Sequence, residues 1–108
     1  MTSYLFSFRG PRDSRLVPET FDAWATWQLR LGARLKDRGL PASAATLIGA
    51  RADATTLHGY SVIRASSLDA AVALAHGCPI LHEGGGIEVA ELVSNDDTFD
   101  QWLARQSH

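Results

Sequence analysis

The stretch LHGYSVIRASSLDAAVALAHGCP, residues 57–79, decides the fold because it holds a strand and a helix in direct succession. Its first part, Leu57–Ala65, is rich in β-branched and aromatic residues and predicts a strand. Its second part opens on Ser66-Ser67-Leu68-Asp69, a serine followed by an acid three residues later, which is typical of a helix start. Gly77 and Pro79 then predict the end of that helix. The stretch therefore predicts one strand–helix unit of a mixed α and β domain.

The segments before this unit predict a strand, a helix and a second strand. Tyr4–Arg9 is a run of aromatic and aliphatic residues that ends at a Gly-Pro pair, which predicts the first strand. From Pro18 to Gly39, apolar residues recur at three- and four-residue spacing, which predicts an amphipathic helix. The spaced positions are Phe21, Trp24, Gln28, Leu31 and Leu35. Ala45–Ala50 predicts the second strand, which a polar connector would join to Leu57–Ala65 as a hairpin.

The segments after this unit complete a familiar order of elements. Ile87–Val93 predicts the last strand, and Asp96–Gln106 predicts a short carboxyl-terminal helix. The order strand, helix, strand, strand, helix, strand places both helices on one face of a four-stranded antiparallel sheet when each crossover is right-handed. We therefore expect an α+β, ferredoxin-like βαββαβ fold, with one domain over residues 1–108, a core at 3–93 and an extension at 94–108.

Both faces of the predicted sheet carry apolar residues. In the first strand Leu5 alternates with aromatic residues, and in Leu57–Ala65 the residues His58, Tyr60 and Val62 share one face. Helices cover one face only, and a domain of this size cannot leave the other apolar face in water. The sequence therefore predicts a homodimer that forms through the open sheet face.

Composition excludes several classes of protein. The 10 basic and 12 acidic residues give a formal net charge of -2, which lacks the basic excess typical of nucleic-acid binders. No apolar run is long enough to span a membrane, and Arg9, Arg12 and Asp13 interrupt any signal-peptide pattern. We expect a cytoplasmic protein that binds neither nucleic acid nor membrane. The single cysteine, Cys78, allows no internal disulfide and is expected to be a small buried or half-buried residue.

Two histidines are candidate catalytic bases. His58 lies on a strand and His82 precedes a glycine run, so either can line a cleft and accept a proton near neutral pH. A purely structural role is the alternative for each. No histidine has a partner at metal-ligand spacing, so we expect no metal and no cofactor.

Trp24 and Trp27 are candidate ligand-pocket residues. They lie on one helix, and at most one of the two can point fully into the core, so the other borders a cleft or an interface. Such a ring can bind a planar ligand, although core packing explains the pair equally well. Tyr60 and Arg9 complete the candidate pocket. The arginines at 9, 12 and 15 are possible clamps for a carboxylate, with a solvated loop as the alternative.

Six short motifs occur in order along the chain: YLFSFRG at 4–10, the tryptophan-bearing helix, GYSVI at 59–63, SLDAA at 67–71, GCP at 77–79 and GGIEV at 85–89. Together they resemble the YCII-related domains, in the branch that often carries an Asp-Gly-Pro-Phe motif. The resemblance implies a ferredoxin-like fold that dimerises through its sheets into an α+β barrel. It also implies a cleft able to hold a small molecule.

The chain departs from this family at the position where catalysis has been proposed. The wider family shows a histidine on the first helix that works with an aspartate, whereas residues 19–39 contain no histidine here. The Asp-Gly-Pro-Phe motif is absent too. Two functions therefore stay open. One is a non-catalytic, small-molecule-binding or regulatory homodimer, and the other is a cofactor-free enzyme of lyase, isomerase or oxygenase type that acts in a cleft between the sheet and the first helix.

Overall fold

Four strands form one antiparallel sheet in the computed structural model of the chain, which describes residues 1–12, 18–49, 55–93 and 99–106. In these ranges the strands are β1 (Thr2–Pro11), β2 (Leu35–Asp37), β3 (Thr55–Ala65) and β4 (Gly86–Glu91), and the α-helices are α1 (Pro18–Leu31), α2 (Leu68–Ala75) and α3 (Phe99–Gln106). The strand order across the sheet is β2-β3-β1-β4. This order confirms the predicted ferredoxin-like α+β fold with a short carboxyl-terminal helix.

One face of the sheet forms the core with α1 and α2. Alternation along β1 buries Tyr4, Phe6 and Phe8 on this face, and the pairing sets Phe6 opposite Ser61 of β3 and Val89 of β4. The helices and the turns after them complete the core with Trp27, Leu31, Ala71, Ala75, Cys78 and Ile80. Each large apolar side chain buried here stabilises the fold by roughly 1.5–3 kcal/mol.

Helix α2 begins one residue later than the serine-x-x-acid pattern predicted. The Ser67 hydroxyl accepts a hydrogen bond from the Ala70 backbone N–H at 3.1 Å, so Ser67 rather than Ser66 caps the helix. Ala71 is buried against the sheet, whereas Leu68 is exposed.

The prediction of the second strand was wrong, because α1 ends earlier than the apolar spacing indicated. Gly32 has a φ of +54°, a conformation that glycine adopts without steric strain and that ends the helix after Leu31. A short 3₁₀ turn, Gly32–Arg34, leads into β2, where Leu35 pairs with Ile63 of β3. Residues 45–49, predicted as the strand, are outside any strand, and the Ile48 side chain is 89% exposed. The predicted hairpin is therefore absent from the described residues, and residues 50–54 lie outside them.

An irregular segment, residues 38–42, continues β2 along the edge of β3. The Leu40 carbonyl accepts from the Tyr60 backbone N–H at 3.3 Å, and the Ala42 N–H donates to the His58 carbonyl at 2.8 Å. The Ser61 hydroxyl donates to the Arg38 carbonyl at 2.6 Å. These bonds hold residues 38–42 against the edge of β3.

Cys78 is fully buried in the core, as predicted. Burial raises the pKa of its thiol to about 12, because the thiolate would lose its hydration there. No helix in the described ranges is long and apolar enough to cross a membrane.

Candidate functional site: a cleft between helix α1 and the sheet

A cleft of about 970 Å³ opens between α1, β3 and the wall formed by residues 38–42. Its apolar lining includes Phe8, Phe21, Trp24 and Ile80. Its polar lining includes Arg12, Gln28, Arg38, His58 and Glu83. A mostly apolar concave surface with a few polar groups is the usual composition of a small-molecule site.

The two tryptophans of α1 face different surroundings. Trp27 is 4% exposed, and its indole N–H donates to the Leu74 carbonyl of α2 at 3.1 Å. Trp24 is half-buried on the cleft wall, where its indole N–H donates to Glu83 Oε2 at 3.2 Å. The structure thus places Trp27 in the core and Trp24 at the cleft.

The Trp24 ring is held from several sides. Its edge packs at right angles against Phe8, with ring centroids 5.1 Å apart, and against Trp27 at 5.9 Å. Glu83, which fixes the indole N–H, comes from the turn after Pro79–His82. The sequence reasoning missed Glu83, because it lies 59 residues from Trp24 along the chain and only the folded chain brings the two together.

His58 enters the cleft because β3 carries one extra residue. Phe8 pairs with Gly59 and Arg9 pairs with Leu57, so His58 forms a bulge between them. The prediction that His58 shares a face with Tyr60 was therefore wrong. His58 lines the cleft on the side of α1.

The imidazole of His58 lies directly over Gly10 of β1. A Cβ atom at Gly10 would lie 2.6 Å from His58 Cε1 and 2.8 Å from Nδ1, which is closer than real Cβ contacts allow. His58 Nε2 is 3.1 Å from the Pro11 carbonyl oxygen. The glycine at position 10 thus leaves space for the ring, and the carbonyl at position 11 orients it.

The remaining candidates are distributed around the molecule. Tyr60 borders the cleft, but Arg9 lines neither cavity and instead donates from Nε to Thr55 Oγ1 at 3.1 Å. His82 lines a second cavity of about 420 Å³, on the Trp27 side of α1. The predicted clamp residue Arg12 lines the cleft, and Arg15 lies outside the described residues.

The cleft combines three kinds of chemistry. Trp24 and Phe8 offer aromatic surface, the arginines offer donors for an anion, and His58 offers a proton acceptor. Within the described part of the chain, no three His, Cys, Asp or Glu side chains are grouped so that they could hold a metal ion.

Comparison with family models, with curated proteins and with solved structures finds no match to the chain.

Proposed function

We propose that the chain is a YCII-related homodimeric domain that binds a small planar organic acid in the cleft beside α1. The observation that carries the proposal is the half-buried Trp24, held by Glu83 on the wall of a cleft that also contains arginine side chains.

The aromatic part of the ligand is favoured by the fixed position of Trp24. Its contacts with Phe8 and Trp27 and its bond to Glu83 hold the indole before any ligand arrives. A preorganised ring loses little conformational entropy on binding. Ring-to-ring contact adds about 0.5–1.5 kcal/mol beyond the area it buries.

The acidic part of the ligand is favoured by the balance of charged groups in the cleft. Arg12 and Arg38 line it, and Glu83 is the carboxylate among its described lining residues. The guanidinium group binds carboxylates through paired hydrogen bonds. Glu83 already accepts the Trp24 indole N–H. A ligand carboxylate therefore meets more cationic than anionic groups.

Ligand binding is tested by titrating the protein with indole-3-acetate and phenylpyruvate while tryptophan emission is recorded. We expect saturable quenching in the wild type that is lost in Trp24→Leu, because the variant lacks the ring that stacks on the ligand. Trp102→Leu is the matched control, since Trp102 lies on α3 and is 48% exposed. Equal quenching in the wild type and Trp24→Leu, or no binding of either acid by calorimetry, contradicts the proposal.

The dimer is proposed through the sheet face that the helices leave open. At the centre of this face Leu5 of β1 pairs with Val62 of β3 on one side and Ala90 of β4 on the other, and all three are half-buried in the single chain. A second copy placed against this face would remove the apolar patch from water.

The dimer is tested by light scattering. We expect twice the 11.7 kDa chain mass for the wild type and a monomer for Leu5→Asp, which puts a charge at the centre of the open face. Leu29→Asp is the matched control, because Leu29 is 82% exposed on α1, away from that face. A wild-type monomer at micromolar concentration contradicts the proposed dimer.

A second candidate function is a cofactor-free enzyme of lyase, isomerase or oxygenase type in the same cleft. The observation that favours it is His58, which the bulge turns into the cleft. Incubation of an acid with the protein in D₂O separates the two functions, because an enzyme converts the acid or exchanges its C–H protons for deuterium and a binding domain does neither.

A further inference from the structure

The hydrogen bond of His58 determines which ring nitrogen can accept a proton. Nε2 lies 3.1 Å from the Pro11 carbonyl oxygen, and a carbonyl oxygen only accepts hydrogen bonds. Nε2 therefore carries the hydrogen in the neutral ring, and the lone pair is on Nδ1.

The same nitrogen has no hydrogen-bond partner among the described residues. Every buried side-chain nitrogen or oxygen in the described part of the chain has a hydrogen-bond partner. His58 Nδ1 has no partner among those residues, so it is not buried, and its ring lines the cleft. Of the two ring nitrogens, Nδ1 is therefore the one that the protein leaves without a partner.

Two features of β1 hold this nitrogen in place. The Gly10 backbone leaves the space that the ring occupies, where a side chain would force the imidazole to shift, and the Pro11 carbonyl bonds Nε2. This is the arrangement that a general base requires: a proton acceptor, a group that orients it, and access to the substrate. The orienting group here is a backbone carbonyl rather than a carboxylate.

We propose that His58 is a general base, and that through Nδ1 it removes a proton from the carbon next to the carbonyl group of an aromatic 2-oxo acid. The inference rests on the proposed ligand cleft. The electron pair of the broken C–H bond forms a carbon–carbon double bond, and the carbonyl electron pair moves to oxygen, giving an enolate. Gln28 and Arg38 are among the residues that line the same cleft, and their side chains carry N–H groups that could donate to that oxygen.

The reverse step restores the protein. The imidazolium returns a proton to the carbon, the oxygen regains its double bond, and His58 is neutral again. In D₂O the returned particle is a deuteron, because the imidazolium exchanges with solvent before it is transferred. The net change is the replacement of one substrate hydrogen by deuterium, with no oxidant or reductant consumed.

The test uses phenylpyruvate in D₂O, with loss of its methylene proton signal followed by NMR. We expect the full-length wild-type protein to accelerate exchange above the buffer rate, and His58→Gln to lower the protein-dependent rate constant by about a hundredfold or more. His82→Gln is the matched control and should leave exchange unchanged, since His82 lines the other cavity.

Binding of phenylpyruvate is measured in the same samples through Trp24 quenching. His58→Gln that still binds but no longer exchanges supports the assignment. A wild type that binds without exchange above buffer overturns the role of His58 and leaves the proposed binding function intact, whereas a wild type that does not bind overturns both. Histidine ¹⁵N spectra give a readout without ligand: hydrogen on Nδ1 rather than Nε2 of His58 overturns the assignment of the base.

Discussion

The two sides of helix α1 show how one residue type takes two roles. Trp27 and Trp24 are three residues apart, and each donates its indole N–H over nearly the same distance, 3.1 Å and 3.2 Å. The Trp27 partner is a backbone carbonyl of α2, which cannot move without the helix, whereas the Trp24 partner is the side chain of Glu83. The Trp27 indole is therefore bonded to the backbone of a neighbouring helix in the core, whereas the Trp24 indole is bonded to a side chain at the cleft.

The largest expected loss of stability comes from a change on the core side of α1. Trp27→Ala should lower the free energy of unfolding by about 3–5 kcal/mol, because it leaves a cavity against Phe6 and removes the donor to the Leu74 carbonyl. Urea unfolding at one fixed protein concentration measures the change. A loss below about 1 kcal/mol would mean that Trp27 contributes no more to stability than we expect of Trp24.

The next largest expected loss of stability also concerns the core, and it appears at alkaline pH. The folded pKa of Cys78 is raised to about 12 from an ordinary 9.0, so unfolded chains lose the thiol proton first and stability falls as the pH rises from about 9 to about 12. At pH 10.5 the loss should reach up to about 2 kcal/mol.

Cys78→Ala isolates this contribution, because it removes the thiol and leaves the other alkaline titrations in place. The difference in unfolding free energy between wild type and variant should shrink with rising pH. A difference that stays constant from pH 8 to 11 would mean that the thiol is not in the buried core.

On the cleft side, Trp24→Leu should lower the free energy of unfolding by only about 1 kcal/mol, since the half-buried site keeps most of its apolar contact with Phe8. The same variant should lose the quenching by planar acids completely. Thermal unfolding measures the loss of stability, and fluorescence titration measures the loss of quenching. A large stability loss without any change in ligand response would place Trp24 in the core beside Trp27.

The smallest effect is expected outside both regions. Trp102→Leu on α3 should change the unfolding free energy by no more than about 0.5 kcal/mol, as exposed substitutions usually do. A larger change, measured by urea unfolding at several protein concentrations, would show that α3 packs against another surface in solution.

The sequence predicted the fold wherever local patterns and global topology agree. Tyr4–Arg9 and Leu57–Ala65 have strong strand patterns, and the structure pairs them at the centre of the sheet. It misplaced the second strand because Leu31 and Leu35 continue the helical spacing across Gly32. Leu35 packs against the core either way, so apolar spacing alone cannot distinguish a helix from a turn followed by a strand.

The candidate site was predictable in part for the same reason. The two tryptophans on one helix indicated that one of them borders a cleft or an interface, with core packing of both as the alternative, and the structure places Trp24 at the cleft. The face on which His58 lies was not predictable, because strict alternation holds only when no residue is inserted in the strand. Glu83 was not predictable either, because its contact with Trp24 depends on tertiary structure.

The His58 imidazole is in the cleft only because β3 contains one residue more than the paired part of β1. Phe8 already pairs with Gly59 and Arg9 with Leu57, so deletion of His58 would leave both pairs in register, apart from the loss of the bond between Ala42 and the His58 carbonyl. A gene that gains or loses this single codon would therefore add or remove a proton acceptor without rebuilding the sheet. Under the two functions proposed above, that one change would separate a catalyst from a binding domain.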